Sequence, residues 1–250
     1  MMLNESVVIT HANPKSPISE AYRVLRTNIQ YSSIDKPLKT IVVTSSKPME
    51  GKTTTVVNLA VSFAQTGKRV LLIDSDLRKP KIHKIFSLSN KTGLTNLIVA
   101  HDDDFVKYIR LCEIPNLEIL PCGTIPPNPS ELLSSNTFIN FIHEMGEIYN
   151  IILLDAPPVG SVTDAAIISA FVDGTILVAN SGHVEIEALK RSKELLTNVN
   201  ANIIGVVLNN LDKHAGSNYY YQYDYYAEDG KKKSKRKKKR SFQDEDHIED

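Results

Sequence analysis

The chain has 250 residues, of which 42% are hydrophobic, and it carries 29 basic and 29 acidic side chains. This length and composition allow one substantial core, so we expect a single folded domain with tails. The two cysteines, Cys112 and Cys122, lack metal-ligand spacing and are too few for a disulfide-stabilised secreted fold. No signal-peptide pattern is found, and no apolar run approaches the roughly 20 residues of a membrane-spanning helix. We therefore expect a cytoplasmic protein.

The neutral total hides an uneven distribution of charge along the chain. Residues 231–240 contain nine basic side chains, and residues 241–250 contain five acidic ones. Without these two runs, the first 230 residues hold 20 basic (29 less nine) and 24 acidic (29 less five) side chains. The folded part is therefore mildly acidic, which argues against a nucleic-acid-binding body. No specific nucleic acid is expected as a partner.

The segment from Ser16 to Ser33 is predicted to form a helix, with Ser19 as a candidate cap. Apolar residues recur at helical spacing: Tyr22, Leu25 and Ile29. Charged residues recur at intervals of three: Glu20, Arg23 and Arg26. These charged side chains line neighbouring rows of the helix, where they can pair with one another or reach a second subunit. An ordinary solvated helix surface is the alternative interpretation.

A strand, a loop and a helix are predicted to follow one another around Thr40–Thr54, TIVVTSSKPMEGKTT. The β-branched run indicates a buried strand, and an apolar helical pattern over Lys52–Thr66 follows the loop. In a phosphate-binding loop of this order, backbone N–H groups hold phosphate oxygens, a lysine reaches the β- and γ-phosphates, and a hydroxyl binds Mg²⁺. The candidate ligands of ATP in this loop are Lys47, Glu50, Gly51, Lys52, Thr53 and Thr54, and Thr53 is also a candidate metal ligand.

The loop departs from the pattern G-x-x-x-x-G-K-[ST] at its first position. Ser46 stands where the pattern has glycine, so Ser46 must tolerate a turn that glycine makes easily. A solvated loop that carries one lysine is the alternative to a phosphate site.

A second strand, Arg69–Asp76 (RVLLIDSD), ends in two carboxylates. Ligands of open parallel sheets gather at the carboxyl ends of the strands, where Asp74 and Asp76 are expected to lie. We interpret the pair as Mg²⁺-binding or proton-handling residues rather than as solvated turn residues. The later run His101–Asp104 is interpreted as a solvated helix start, because consecutive acids do not easily face one ion.

The second half of the chain repeats this arrangement. A strand is predicted at Asn116–Leu120, and a helix start near Ser130. In Tyr149–Val159 (YNIILLDAPPV), a buried strand ends at Asp155, which is placed to meet Mg²⁺ as in a Walker B strand. Two more strands are predicted, Gly174–Ser181 and Ile203–Asn209, with a helix around Glu185–Val199 between them. The alternation predicts a mostly parallel sheet with helices on both faces.

The sequence leaves three parts of the chain with more than one interpretation. Asn209 ends the last strand, where its amide could read a nucleotide base or form a turn. Beyond Leu211 the composition indicates a flexible tail, which holds six of the ten tyrosines: Tyr219, Tyr220, Tyr221, Tyr223, Tyr225 and Tyr226. These tyrosines are either a sticky aromatic surface or phosphate acceptors. The basic run 231–240 could touch an anionic membrane, bind nucleic acid non-specifically or stay solvated.

Together these motifs resemble the bacterial tyrosine kinase (BY-kinase) family, in the cytoplasmic-subunit form found in Gram-positive capsular and exopolysaccharide systems. The motifs are SEAYRVLRTNIQ, SSKPMEGKTT, VLLIDSDLRKP, PPNPSELL, LLDAPPV and the tyrosine cluster. The resemblance implies an α/β P-loop NTPase domain over residues 1–212 and a disordered tail over residues 213–250. It also implies a non-specific protein-tyrosine kinase that uses ATP and Mg²⁺ and regulates polysaccharide synthesis and export.

The resemblance also implies a role for each matching residue. Lys52 binds the β- and γ-phosphates, while Thr53, Asp76 and Asp155 complete the shell of Mg²⁺. Asp74 accepts the proton of an incoming tyrosine, and the acceptors are the six tail tyrosines, phosphorylated in trans. The charged residues of the first helix, Glu20, Arg23 and Arg26, lie at the subunit interface of a ring.

The resemblance further implies partners. A separate transmembrane activator completes the nucleotide site and holds the kinase at the inner face of the membrane. A homo-oligomeric ring forms when the tail is unphosphorylated, and a cognate tyrosine phosphatase and protein substrates of polysaccharide synthesis act with it.

Two other functional classes remain open at this point. Lys47, five residues before Lys52, occupies the position of the signature lysine of ParA/MinD-type ATPases, so an ATPase switch is the alternative function. A polyanion-binding adaptor would need only the tail, and it would leave the three strand-end aspartates unexplained.

Overall fold

The computed structural model describes residues 3–33, 37–101 and 104–211. The chain divides into two units, residues 1–209 and residues 210–250, and every element named below belongs to the first. The helices are α1 (Ile9–Ala12), α2 (Pro17–Tyr31), α3 (Lys52–Ala64), α4 (Ile82–Ile85), α5 (Leu94–Ala100), α6 (Pro129–Leu133), α7 (Asn136–Ile148), α8 (Asp164–Ser169) and α9 (Ile186–Thr197), with a 3-10 turn at Phe105–Lys107. The strands are β1 (Thr40–Ser45), β2 (Val70–Asp74), β3 (Arg110–Leu111), β4 (Leu117–Leu120), β5 (Ile151–Asp155), β6 (Gly174–Asn180) and β7 (Ile203–Asn209).

Within the described residues, the strands form one sheet in the order β3-β4-β2-β5-β1-β6-β7. All neighbouring strands are parallel except the short edge strand β3, which pairs antiparallel with β4. Strand β5 follows β4 in the chain but lies between β2 and β1. This places the carboxyl ends of β2, β5 and β1 side by side, and the predicted mostly parallel sheet is confirmed.

Helices cover both faces of the sheet, because the central strands are buried throughout and are apolar except near their ends. On one face, Val42, Ile73 and Leu154 belong to a core that includes residues of α7 and α8. On the other face, Val43, Leu72 and Leu153 pack in a core with residues of α3. A strand buried on both faces gains no benefit from alternating polar residues, which explains the continuous hydrophobic runs of the sequence.

Several predicted boundaries differ from the observed ones. The cap of α2 is Ser16 rather than Ser19, since the Ser16 hydroxyl accepts a hydrogen bond from the Ser19 N–H and Pro17 occupies the first turn. Strand β2 ends at Asp74, two residues earlier than predicted. His101 ends helix α5 instead of starting a helix, and Asp104 precedes the 3-10 turn.

No helix among the described residues is both long and apolar enough to span a membrane. The tyrosine cluster 219–226 and the basic run 231–240 lie outside the described residues, so their predicted roles stay predictions. The boundary at residue 212 is also a prediction.

Candidate nucleotide and phosphotransfer site

Three carboxylates converge at the carboxyl ends of the central strands. Asp74 and Asp155 are the last residues of β2 and β5, and they face each other in the register of these parallel strands. Asp76 lies two residues beyond Asp74, where the chain turns away from the sheet. All three side chains are buried. Like charges this close disfavour simultaneous ionisation, so a cation is needed among them.

The ammonium group of Lys52 supplies that cation in this structure. Its Nζ lies 2.9 Å from Asp76 Oδ2 and 3.3 Å from Asp155 Oδ1. Thr53, the next residue, donates its hydroxyl to Asp155 Oδ2 at 2.7 Å. Burial by itself lowers the pKa of Lys52, but the charges of Asp155 and Asp76 outweigh burial and raise the pKa above its usual value. Lys52 therefore stays charged.

Asp74 has a different environment. Its Oδ2 accepts hydrogen bonds from the backbone N–H groups of Lys81 (3.0 Å) and Ile82 (2.9 Å). Its Oδ1 is buried and, among the residues that the structure describes, has no hydrogen-bond partner. Burial, followed by the charge of Asp155, raises the pKa of Asp74 to about 8. A carboxyl group with such a pKa holds and releases protons near neutral pH.

The phosphate loop is closed by Glu50. Its buried carboxylate accepts hydrogen bonds from the Ser46 hydroxyl (2.8 Å) and from the Lys47 backbone N–H (2.8 Å). Ser46 is outside the left-handed region, so the serine fits without strain. The left-handed backbone lies at Met49 (φ 66°) and Gly51 (φ 91°) instead. The serine in place of the usual glycine is therefore accommodated by a hydrogen bond to Glu50.

Asn209 lies over this loop. Its side-chain amide donates to the Glu50 carbonyl oxygen at 3.1 Å. A Cβ atom placed on Gly51 would lie 1.9 Å from the Asn209 Nδ2 atom, so a side chain there would displace the Asn209 amide, and the positive φ of 91° favours glycine as well. Asn209 holds the phosphate loop in this structure, and a role in base recognition stays a prediction.

Lys47 points away from the three carboxylates. Its Nζ lies 2.6 Å from Glu185 Oε1, at the start of helix α9, and both side chains are substantially exposed. Thr54 follows Thr53 in the first turn of α3 and is half-buried. Binding of nucleotide by Lys47 or Thr54 stays a prediction.

The charged residues of α2 make contacts within their own chain. Arg23 and Glu20 form an ion pair of 2.5 Å on the helix surface. Arg26 crosses to α3 and donates from Nη1 to the Ser62 carbonyl oxygen at 2.9 Å. A part of the predicted subunit interface thus also ties α2 to the phosphate-binding helix, and its role between subunits stays a prediction.

A second polar cluster beside the site was not anticipated from the sequence. Asp164, fully buried at the start of α8, accepts two hydrogen bonds from Arg78, at 2.8 Å to Nε and 2.9 Å to Nη2. Ser130 of α6 donates to the same carboxylate at 2.8 Å. The sequence signal was the buried-type setting of Asp164 in an otherwise apolar helix, but its partner lies 86 residues away.

The residues at the strand ends fit a magnesium ion that enters with a nucleotide. Mg²⁺ is held in nucleotide sites by one or two carboxylates, hydroxyls, substrate phosphates and water rather than by a complete protein cage. The Thr53 hydroxyl and the carboxylates of Asp76 and Asp155 provide such a partial set. In the described ranges, no group of three or more His, Cys, Asp or Glu residues is arranged to hold a metal by itself.

The fold and this site together define a P-loop NTPase. A buried strand, a loop with Gly51-Lys52-Thr53 and helix α3 stand in the phosphate-binding order, and Asp155 ends the neighbouring strand. The chain matches the AAA domain family over residues 38–203.

Comparisons with known proteins narrow this class. Tyrosine-protein kinase YwqD of Bacillus subtilis (strain 168) is 42% identical over 215 residues, which cover 85% of this chain and 90% of that protein. The crystal structure of the chimerical protein CapA2B2 has a TM-score of 0.80 at 41% identity, over 85% of this chain and 93% of that one. The septum site-determining protein MinD of Pyrococcus horikoshii OT3, complexed with Mg-ADP, has a TM-score of 0.57 at 25% identity, over 68% and 69%. The chain belongs to the bacterial tyrosine-protein kinases.

Proposed function

We propose that the chain is an ATP- and Mg²⁺-dependent protein-tyrosine kinase that phosphorylates tyrosines 219–226 of its own tail in trans. We also propose that this activity regulates the synthesis and export of capsular or extracellular polysaccharide. The observation that carries the proposal is Asp74, a buried carboxyl group with a pKa of about 8 beside the Lys52–Asp76–Asp155 cluster. Membership of the tyrosine-protein kinases supports it.

In the proposed reaction, a tyrosine oxygen forms a bond to the γ-phosphorus while the bond to the β,γ-bridging oxygen breaks, and ADP leaves. Asp74 in its ionised form takes the phenolic proton, and its Oδ1, which has no hydrogen-bond partner among the described residues, is the oxygen that accepts it. A tyrosine hydroxyl has a pKa of about 10, so transfer to a carboxylate of pKa about 8 is far less uphill than transfer to an ordinary carboxylate. Bound Mg²⁺ would supply positive charge beside the transferring phosphoryl group.

Lys52 and the loop position the reacting groups. The ammonium group of Lys52, held here by Asp76 and Asp155, would exchange these partners for the β- and γ-phosphates of the nucleotide. Thr53, Asp76 and Asp155 would then be free to hold the metal ion. Asp74 is fully covered, partly by the Lys81–Ile82 backbone. Proton transfer therefore requires this segment to shift or a water molecule to carry the proton.

The test is incubation of the chain with ATP and Mg²⁺, with and without a fused activator segment, followed by mapping of phosphotyrosine. We expect label within residues 219–226 and its loss in Lys52→Met. Because that substitution leaves Asp76 and Asp155 without their cation, a thermal melt checks folding, and Lys52→Arg, which keeps the charge, is the matched control. ATP hydrolysis without any label would contradict the kinase.

The alternative function is a ParA/MinD-type ATPase switch, in which nucleotide controls dimerisation. Lys47 and the structural similarity to MinD favour it. Against it stands the pairing of Lys47 with Glu185 of the same chain. Lys47→Ala separates the two functions. It abolishes nucleotide-controlled dimerisation if the chain is a switch, and it leaves tyrosine labelling within about twofold if the chain is a kinase.

The proposed partners follow from the family. They are a separate transmembrane activator, which places the kinase at the inner face of the membrane, a ring of identical subunits, a tyrosine phosphatase and protein substrates of polysaccharide synthesis. The half-exposed Glu20–Arg23 pair offers a surface for the ring. Light scattering of Arg23→Glu, with Lys15→Glu as the control, tests the interface: the first is expected to lower the assembly mass and the second is not.

A further inference from the structure

Four basic side chains follow the carboxyl-terminal end of β2 in quick succession. We call them the basic strip: Arg78, Lys79, Lys81 and Lys84. All four are exposed. In the described part of residues 1–209, no other segment carries four exposed basic side chains in such close succession.

The backbone of the basic strip is tied to the aspartates of the site. The Lys79 N–H donates to Asp76 Oδ1 at 3.0 Å, and the Lys81 N–H donates to Asp74 Oδ2 at 3.0 Å. The Arg78 guanidinium is fixed by the buried Asp164 carboxylate. The basic strip thus has a defined position, and a peptide that binds along it passes Asp74, the residue that accepts the proton.

The three lysine side chains are available to a ligand. Among the described residues, none of Lys79, Lys81 and Lys84 has a carboxylate within ion-pair distance. The nearby carboxylates are already engaged: Asp74 and Asp76 by this backbone and Lys52, and Asp164 by Arg78. The strip therefore presents uncompensated positive charge beside an acidic site.

The tail carries charge of the opposite sign among its tyrosines. The sequence YYYQYDYYAED, residues 219–229, holds six tyrosines together with Asp224, Glu228 and Asp229. Three aspartates at the reaction centre repel such a segment, so something must offset this repulsion. Tyr219 lies ten positions after Asn209, so the connecting chain can span up to about 33–36 Å toward the basic strip of a neighbouring subunit.

We propose that the basic strip is the docking surface for residues 219–229 of the tail, with Lys79, Lys81 and Lys84 binding Asp224, Glu228 and Asp229. This inference rests on the proposed kinase function and names its substrate class: an acidic, tyrosine-rich peptide. Binding of the flanking acids places a tyrosine hydroxyl beside Asp74. The preference for acidic sequence follows from the strip and not from the P-loop.

The test measures the initial rate of tail phosphorylation in the full chain at saturating ATP. One variant neutralises the strip (K79Q/K81Q/K84Q), one neutralises the tail (D224N/E228Q/D229N), and one combines both. The backbone bonds to Asp74 and Asp76 stay available in the strip variant because only side chains change. The control K91Q/K190Q/K193Q removes the same charge from exposed lysines elsewhere.

We expect each neutralised variant to lose about tenfold in rate at low salt, and the combined variant to lose no more than either alone. The loss shrinks at 0.5 M salt, where exposed charges are screened. A charge-exchanged chain, K79E/K81E/K84E with D224K/E228K/D229K, regains the rate. The control keeps the unaltered rate.

Rates that are insensitive to both sets of charges would overturn the docking surface, as would losses that multiply in the combined variant. A strip variant that raises only the KM for ATP would assign the lysines to nucleotide instead. If the strip variant does not fold, the tail variant and its salt dependence still decide, since the tail substitutions lie outside residues 1–209. Absence of phosphotyrosine in the unaltered chain is a different result, because it contradicts the kinase itself.

Discussion

Asp74 shows how a single residue acquires its chemistry from the chain around it. Its carboxyl group ends a strand that is buried on both faces, opposite Asp155, and among the described residues its hydrogen-bond donors are two backbone N–H groups. Burial and the neighbouring charge favour the protonated form, while the two N–H groups favour the ionised form. Burial is the larger effect, so the folded chain holds a proton that the unfolded chain releases.

This imbalance predicts the pH dependence of stability in Asp74→Asn. The pKa of Asp74 is about 8 in the folded chain against an ordinary value of 3.8. Between these values the folded chain binds the extra proton, so the free energy of unfolding of the unaltered chain falls as pH rises. Asparagine does not titrate. The free energy of unfolding of the variant, relative to that of the unaltered chain, should therefore rise by roughly a few kcal/mol from pH 5 to pH 8. The relative melting temperature should rise with it.

Calorimetry at several pH values without nucleotide gives this difference directly. A difference that is constant with pH would show that Asp74 titrates normally. The same variant should lose about 10²- to 10⁴-fold in tyrosine phosphorylation if the residue is the base. Asp104→Asn, an exposed aspartate far along the chain from the strand ends, is the control and should change neither quantity.

At the scale of elements, two residues of the phosphate loop differ in backbone conformation, although the sequence motif does not distinguish them. Ser46 lies outside the left-handed region and is bonded to Glu50, whereas Met49 adopts a positive φ of 66° with an exposed side chain. Glycine should therefore have opposite effects at the two positions. Met49→Gly removes strain of about 1 kcal/mol and raises the melting temperature by about 2–4 °C. Ser46→Gly loses a buried hydrogen bond of about 1 kcal/mol and lowers it.

Thermal melts of both variants in one buffer check this pair. If both variants changed the melting temperature in the same direction, the result would contradict this loop conformation.

The contact between Gly51 and Asn209 predicts a conditional effect. In Gly51→Ala, the new methyl group meets the Asn209 amide and the backbone is held at a φ of 91°, so nucleotide binding should fall at least tenfold. Adding Asn209→Ala removes the collision but leaves the backbone strain. We expect this double variant to regain part of the affinity in a fluorescent-nucleotide titration. No recovery would mean that strain alone accounts for the loss.

The sequence predicted the elements that build the site because each has a local signal. Asp74 and Asp155 close uninterrupted apolar runs, and Gly51-Lys52-Thr53 opens a helix, so strand, loop and helix follow from adjacent residues. The confirmed sheet follows from the same alternation. The two-residue strand β3 and the four-residue helix α1 were missed, since pieces this short have no period to detect.

The remaining contacts depend on distance in space rather than on local pattern. Asp164 meets Arg78 across 86 residues, and Arg26 meets Ser62 across 36. The Glu50 carboxylate turns back to Ser46 only because Met49 and Gly51 reverse the chain. Such contacts appear once the sheet order is known, and the sheet order places β5 between β2 and β1 against the order of the chain.

At the scale of the whole molecule, phosphorylation of the tail changes its charge more than any other event proposed here. Residues 219–250 hold nine basic and eight acidic side chains, a formal charge of +1. Each phosphotyrosine adds about −1.5 to −2 at pH 7, so six would add roughly −9 to −12. Tails gathered in a ring would then repel one another. We expect the assembly mass from light scattering to fall after phosphorylation and to recover after phosphatase treatment. An unchanged mass would contradict this coupling.

Met49 makes the phosphate loop sensitive to oxidation as the protein ages. Its thioether is 89% exposed, whereas Met145, the other methionine in the described ranges, is fully buried. Peroxide converts an exposed thioether to a polar sulfoxide, and here the product would stand between Pro48 and the Glu50 that closes the loop. Oxidation should therefore damage ATP binding before it damages the fold, and methionine sulfoxide reductase should reverse it. A nucleotide titration and a thermal melt on peroxide-treated protein would separate the two losses, so an ageing sample can remain folded and still be inactive.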